Sequence, residues 1–176
     1  RRGPAEPAEP VAVTVDGAGY VLDNALVRAQ VDGRGLLVSV VDAVTGREAI
    51  AAGPRATSCR STPTAGQLGR RDVDHTHRRT VTDLDDVEEL ETVQENGTAG
   101  ARVRRAFGTS TAVQTITLAP GSPRVDCTAE IDRHESETFK GGFPLDVRAD
   151  HAAAVTQFGH VGIGGAVREG HRINLP

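Results

Sequence analysis

The residues best suited to proton or metal chemistry fall in two clusters. Asp132, His134 and Glu135 place one imidazole between two carboxyl groups, and a histidine in such company can move protons near neutral pH. Asp74, His75, Thr76 and His77 put two imidazoles at alternate positions, which on a strand project to the same side. One strand then offers only two ligands, whereas zinc sites use three or four protein donors, so this segment is read as the polar start of a strand. Asp83, Asp85, Asp86, Glu88, Glu89 and Glu91 form an acidic run without the ligand order and glycine of a calcium loop; it reads as a solvated face. Arg78, Arg79, Arg102, Arg104 and Arg105 could meet another domain, a phosphate or those same acids, and pairing with the acids is the modest expectation. Gly162-Ile163-Gly164-Gly165 lacks the preceding strand and following helix of a nucleotide loop and reads as a flexible tail. Asn96-Gly97-Thr98 fits a glycosylation sequon, yet the same residues make a tight hairpin turn. Cys59 and Cys127 have neither the number nor the spacing of a disulfide framework or a metal site, and both read as thiols.

The elements that must position these groups are strands. Val11, Val13 and Val15 alternate with smaller residues before an Asp16-Gly17 turn, and Tyr20–Leu22 ends at Asp23-Asn24. Val27, Ala29 and Val31 alternate with Arg28 and Gln30, and Asp32-Gly33-Arg34-Gly35 closes a hairpin into Leu36–Val41. A turn at Thr45-Gly46-Arg47 follows. Residues 53–80 show neither period and carry no predicted element. Glu88–Gln94 then leads through Asn96-Gly97 to Arg102–Phe107 and Thr111–Leu118, with Ala112, Gln114, Ile116 and Leu118 on one face. After Pro120-Gly121-Ser122-Pro123, Val125, Cys127, Ala129 and Ile131 alternate with four polar residues, the pattern of a strand with one core face. Phe143–Val147 and Ala154–Phe158 read as two more strands. Many short strands joined by Gly/Pro turns predict an all-β antiparallel sandwich.

Composition narrows the function classes. The 176 residues carry 24 Asp+Glu against 20 Lys+Arg, a net charge of −4, which argues against a general nucleic-acid binder. No apolar run approaches the length of a membrane helix, so no membrane partner is expected. Trp 0, Tyr 1 and Phe 4 leave few large core anchors. Lys140 is the only lysine, a usage typical of GC-rich coding DNA, and the absence of Met implies that the chain does not include its own start. Residues 1–10, with three prolines, read as a mobile linker; residues 11–161 form the predicted sandwich and 162–176 a divergent tail.

The order of these strands and turns resembles the C-terminal β region of bacterial α-mannosidases of glycoside hydrolase family 38. Tyr20-Val21-Leu22-Asp23-Asn24, Val27–Asp32, Gly35–Asp42 and Gly46-Arg47-Glu48 resemble the family's opening hairpin. Arg78–Leu84, Arg102–Leu118, Pro123–Asp126, Asp132-Arg133-His134-Glu135, Phe143–Asp150 and Gln157–His160 follow in matching order. The resemblance implies a galactose-mutarotase-like supersandwich, here truncated, in a cytoplasmic enzyme that hydrolyses terminal α-mannosides. Its zinc and catalytic carboxylates would belong to an N-terminal catalytic barrel, the expected partner, through which the α-mannoside substrate is met. No residue of this chain matches a zinc ligand or nucleophile of that family. Catalytic and metal residues are therefore expected to be none, no cofactor is expected within the chain, and carbohydrate-binding residues stay unassigned. The Asp132–Glu135 cluster is accordingly expected to be structural or to contact another domain.

The chain also departs from the family pattern. Residues 60–72 stand where the family has a tryptophan-rich loop. Gln67-Leu68-Gly69-Arg70 can be encoded CAA CTG GGA CGC, which shifted by one base reads Asn-Trp-Asp-Ala, so this stretch is expected to be translated in a displaced frame. Arg133 replaces a common tryptophan, and the sequence after Val161 diverges. Reduced stability in isolation is the expectation, as is an uncovered sheet edge or core face. The isolated chain is expected to be inactive. A stand-alone carbohydrate-binding module and a non-functional gene fragment are the alternatives; scarce aromatics count against the first.

Overall fold

The computed structural model describes residues 9–51, 58–63, 82–84, 86–134, 137–147, 149–156 and 159–167. Among these, the regular elements are all strands: β1 (Ala12–Asp16), β2 (Gly19–Asp23), β3 (Val27–Val31), β4 (Leu37–Asp42), β5 (Ser58–Pro63), β6 (Thr82–Asp83), β7 (Val87–Glu95), β8 (Thr98–Phe107), β9 (Ser110–Leu118), β10 (Val125–Asp132), β11 (Glu137–Gly142), β12 (Ala149–Thr156) and β13 (Gly159–Val167). No described helix is long and apolar enough to cross a membrane.

Two four-stranded antiparallel sheets dominate, ordered β1-β2-β3-β4 and β10-β9-β8-β7. Both are hairpin meanders, so each strand pairs with its neighbour in sequence, the least demanding way to close local β contacts. Their inner faces meet across one core. Leu22, Val27, Ala29, Val31 and Leu37 come from the first sheet, and Ala99, Ala101, Ile116 and Leu118 from the second. Period-two alternation explains the sides: on β8, Ala99, Ala101, Val103, Arg105 and Phe107 are buried while Arg102 and Arg104 are exposed. Three of the nine core residues just named are alanines, so the sheets are joined by many small contacts rather than by aromatic anchors. A three-stranded sheet, β11-β5-β6, and the β12-β13 hairpin complete the described strands.

The turns follow their residue chemistry. Asn96 and Gly97 have φ of 50° and 80° in the β7–β8 hairpin, the left-handed pair that an Asn-Gly turn supplies at least cost. Gly35, at φ 67°, also lies where an added Cβ would come within 2.6 Å of the Val103 side chain. Only glycine meets both requirements.

Several expectations need correction. Part of the 53–80 stretch is structured, because Ser58–Pro63 pairs with both β11 and β6. Strand β13 continues to Val167 and pairs with β12, so residues 162–167, including Gly162-Ile163-Gly164-Gly165, lie in a hairpin strand rather than a flexible tail. Residues 143–147 do not form a regular strand; they touch the 49–51 segment through an isolated Ile50–Leu145 bridge and two backbone hydrogen bonds, Ala51 N to Pro144 O and Asp146 N to Ala49 O. The predicted core face of β10 is mostly uncovered: Val125 packs on the core, but Cys127 and Ala129 are exposed and Ile131 is 40% exposed. Residues 1–8 of the expected 1–10 linker, and residues 64–72 of the 60–72 stretch expected to be in a displaced frame, lie outside the described residues.

Candidate functional site

The residues carrying the resemblance build turns. Asn24 is buried between the two main sheets and saturates its amide. Its Nδ2 donates to Ala119 O at 2.8 Å and Ser122 O at 2.7 Å, and its Oδ1 accepts from Leu26 N at 3.1 Å and Val27 N at 2.8 Å. One side chain thus ties the β2–β3 turn to the β9–β10 turn. Asp32 folds the next loop, its Oδ1 accepting from Arg34 N at 3.0 Å and Leu36 N at 2.9 Å. Asp42 Oδ1 accepts from Val44 N at 2.8 Å and Thr45 N at 3.0 Å, and these amides, Thr45 first, hold its carboxyl below the ordinary value.

Glu48 performs the same work at greater depth. Its Oε1 accepts from Val40 N at 2.8 Å and Ile50 N at 2.9 Å, and its Oε2 from Ser39 Oγ at 2.5 Å. Burial opposes its ionisation, but the Ser39 hydroxyl and the amides of Ile50, Val40 and Ala49 outweigh it and leave the carboxyl below its usual range. The perturbed carboxylate therefore reports turn architecture and not proton chemistry.

Of the predicted arginine–acid pairs, Arg104 Nε meets Glu88 Oε2 at 3.0 Å with both side chains about half exposed. Arg105 is the exception. It is only 1% exposed, and its Nε donates to Leu84 O at 2.9 Å while an Nη donates to Arg34 O. A sequence reading that assigns arginines to the surface misses this; position 105 falls on the inner register of β8, the one signal that could have found it. The buried guanidinium fastens the Asp32–Leu36 loop and the entry to β7 onto the second sheet.

Asp132 and His134 do come together, His134 Nε2 lying 3.1 Å from Asp132 Oδ1, with 59% and 73% of their side chains exposed. Nearby Ser110 Oγ accepts from the backbone N of His134 at 2.9 Å. That arrangement is not a nucleophile–base pair: the hydroxyl is engaged by an amide and the imidazole faces the carboxylate. Glu135, Asp74, His75, Thr76, His77, Arg78, Arg79 and Asp85 lie outside the described residues. Among the described residues no three His, Cys, Asp or Glu side chains could hold a metal ion, so zinc finds no donor set in them.

The outer face of the second sheet is the remaining polar constellation. Glu91 stands across from Arg102, Glu89 across from Arg104, and Val113 across from Arg104 on the other side. These five residues line one shallow depression. The arrangement offers hydrogen-bond donors and acceptors to a bound molecule but no nucleophile beside a base.

Fold and site together define a β-sandwich domain whose described polar side chains tie turns, loops and strands together. The chain belongs to the glycosyl hydrolases family 38 C-terminal domain family, whose model matches residues 22–162. It is also similar to the protein named alpha-mannosidase 2C1 of Mus musculus, being 31% identical over 177 residues; the match takes in 90% of this chain and 16% of that relative.

Proposed function

We propose that this chain is the sandwich part of a cytoplasmic α-mannosidase, in which a zinc-bearing catalytic barrel elsewhere in the polypeptide hydrolyses terminal α-mannosides and the sandwich supports that barrel and helps to present carbohydrate. The observation that carries the reading is the family match over residues 22–162. The similarity to a named α-mannosidase, of which the chain spans about a sixth, supports the substrate class. Retaining cleavage needs two carboxyl groups about 5–5.5 Å apart around a fixed sugar, so the reading assigns bond cleavage to the barrel. The role of this chain is mechanical: two small-residue sheets, pinned at their loops by Asn24 and Arg105, form a platform that can hold a neighbouring domain in place.

The test is to sequence the locus flanking the coding region and to express any barrel found there with and without this chain. A barrel whose α-mannosidase activity or solubility depends on the chain is the expected result. A locus without a barrel, or a barrel equally active and soluble alone, overturns the reading.

A further inference from the structure

The depression on the outer face of β7, β8 and β9 has a charge arrangement that selects its ligand. Arg104 is engaged by Glu88. The side chains of Arg102, Glu89 and Glu91 make no hydrogen bond or ion pair among the described residues, although Arg102 and Glu91 occupy directly opposed positions. Neighbouring strands lie about 4.8 Å apart and alternate residues of a strand about 6.6 Å apart, so the backbone positions bearing these groups stand at the corners of a rectangle comparable to a pyranoside with its hydroxyls. Two carboxylates repel an anion, and two guanidiniums repel a metal cation. What fits is a neutral molecule with donors and acceptors on adjacent atoms. Vicinal hydroxyls meet that requirement, accepting from a guanidinium while donating to a carboxylate, and Val113 gives the C–H side of a ring an apolar floor. A mixed-charge protein surface would also match the charges, but it would sit over an open plane rather than in a depression lined by five side chains.

We propose that this face is a weak accessory site for a neutral pyranoside, with Arg102 as donor, Glu89 and Glu91 as acceptors and Val113 beneath the ring. The assignment rests on the α-mannosidase reading for its choice of sugar. It names a role for residues that the turn architecture leaves unused.

The experiment is a titration of the isotope-labelled chain with methyl α-D-mannopyranoside, followed through its backbone amide resonances. Shifts confined to the amides around Glu89–Glu91, Arg102–Arg104 and Val113 are expected, with a dissociation constant on the order of millimolar. Arg102→Ala should weaken binding about tenfold or more, as loss of a charge-assisted donor does. Glu91→Gln, conservative and exposed, provides a second variant that keeps the strand intact and should also weaken binding. No shift at about a hundredfold excess over millimolar affinity, shifts scattered over both sheets, or both variants binding as tightly as the wild type overturns the site. Shifts produced by a mixed-charge peptide and not by the mannoside overturn it too, and assign the face to protein docking. An active barrel that depends on the chain, combined with an unshifted spectrum, would remove this site and leave the α-mannosidase reading standing.

Discussion

Asn24 supplies the sharpest test of how the two main sheets are held together. Replacing it by Ala removes two donor and two acceptor bonds at once. Val27 N is buried and would stay unpaired, at about 1–3 kcal/mol, while Leu26 N, Ala119 O and Ser122 O are half-buried and could recover water, at about 0.5–1 kcal/mol each. The sum is about 2.5–6 kcal/mol, a fall in melting temperature on the order of 10 °C for a chain of this size. Asn24→Asp separates the halves, because a carboxylate keeps the acceptor side and loses both donors. It would place an anionic oxygen where the amide nitrogen now lies, 2.8 Å from Ala119 O and 2.7 Å from Ser122 O. At neutral pH it should cost about 2 kcal/mol or more. Urea denaturation of the wild type and both variants gives the comparison. An Asn24→Asp protein within about 0.5 kcal/mol of wild type, the ordinary scatter for an unremarkable surface change, would refute the idea that the amide bridges the two turns.

Other substitutions probe the remaining staples. Gly35→Ala combines a left-handed backbone with overlap on Val103 and should destabilise by about 2–4 kcal/mol in the same denaturation assay. Leu118→Ala, at a fully buried position bridging the sheets, should cost about 2–5 kcal/mol, seen as an earlier thermal transition. Glu48 has a folded pKa below its unfolded value of about 4.5. Its stabilisation is therefore present above that value and lost as pH falls through the folded one. Wild type should exceed Glu48→Gln in stability at neutral pH, and acid titration of both melting temperatures should show the gap closing.

Where local chemistry dictates structure, the sequence was legible. Alternation on Val27–Val31 and Thr111–Leu118, together with Asn96-Gly97 and Asp32–Gly35, identifies strands and hairpins before any coordinates. Strands β5, β11 and β13 carry no such signal: SCRSTP, ETFKGG and GHVGIGGAV are polar or glycine-rich, and β5 and β11 find each other across a long stretch of chain, Ser61 opposite Phe139. Alternation on β10 shows that a face can be buried but not whether anything covers it, and Ile131 remains open. Arg105 was hidden by its type, since the carbonyls that help to offset the cost of burying its guanidinium come from loops far away in sequence.

The same comparison separates what the family likeness explains from what it does not. Asn24, Asp32, Gly35, Asp42, Gly46 and Glu48 lie in the runs that carry the resemblance, and each has a turn to make. Gly46 takes φ 71°, and its amide donates to Asp42 O at 2.8 Å. A core in which Ala29, Ala99 and Ala101 occupy central positions gains less from burial than one filled with Leu or Phe. Polar staples at the loops then supply the specificity that large side chains would otherwise give, because a saturated buried amide tolerates only one arrangement of its neighbours. The likeness therefore speaks for the scaffold. A role beyond mechanical support needs residues that the scaffold does not consume, and on the described surface the unengaged Arg102, Glu89 and Glu91 meet that condition as a group.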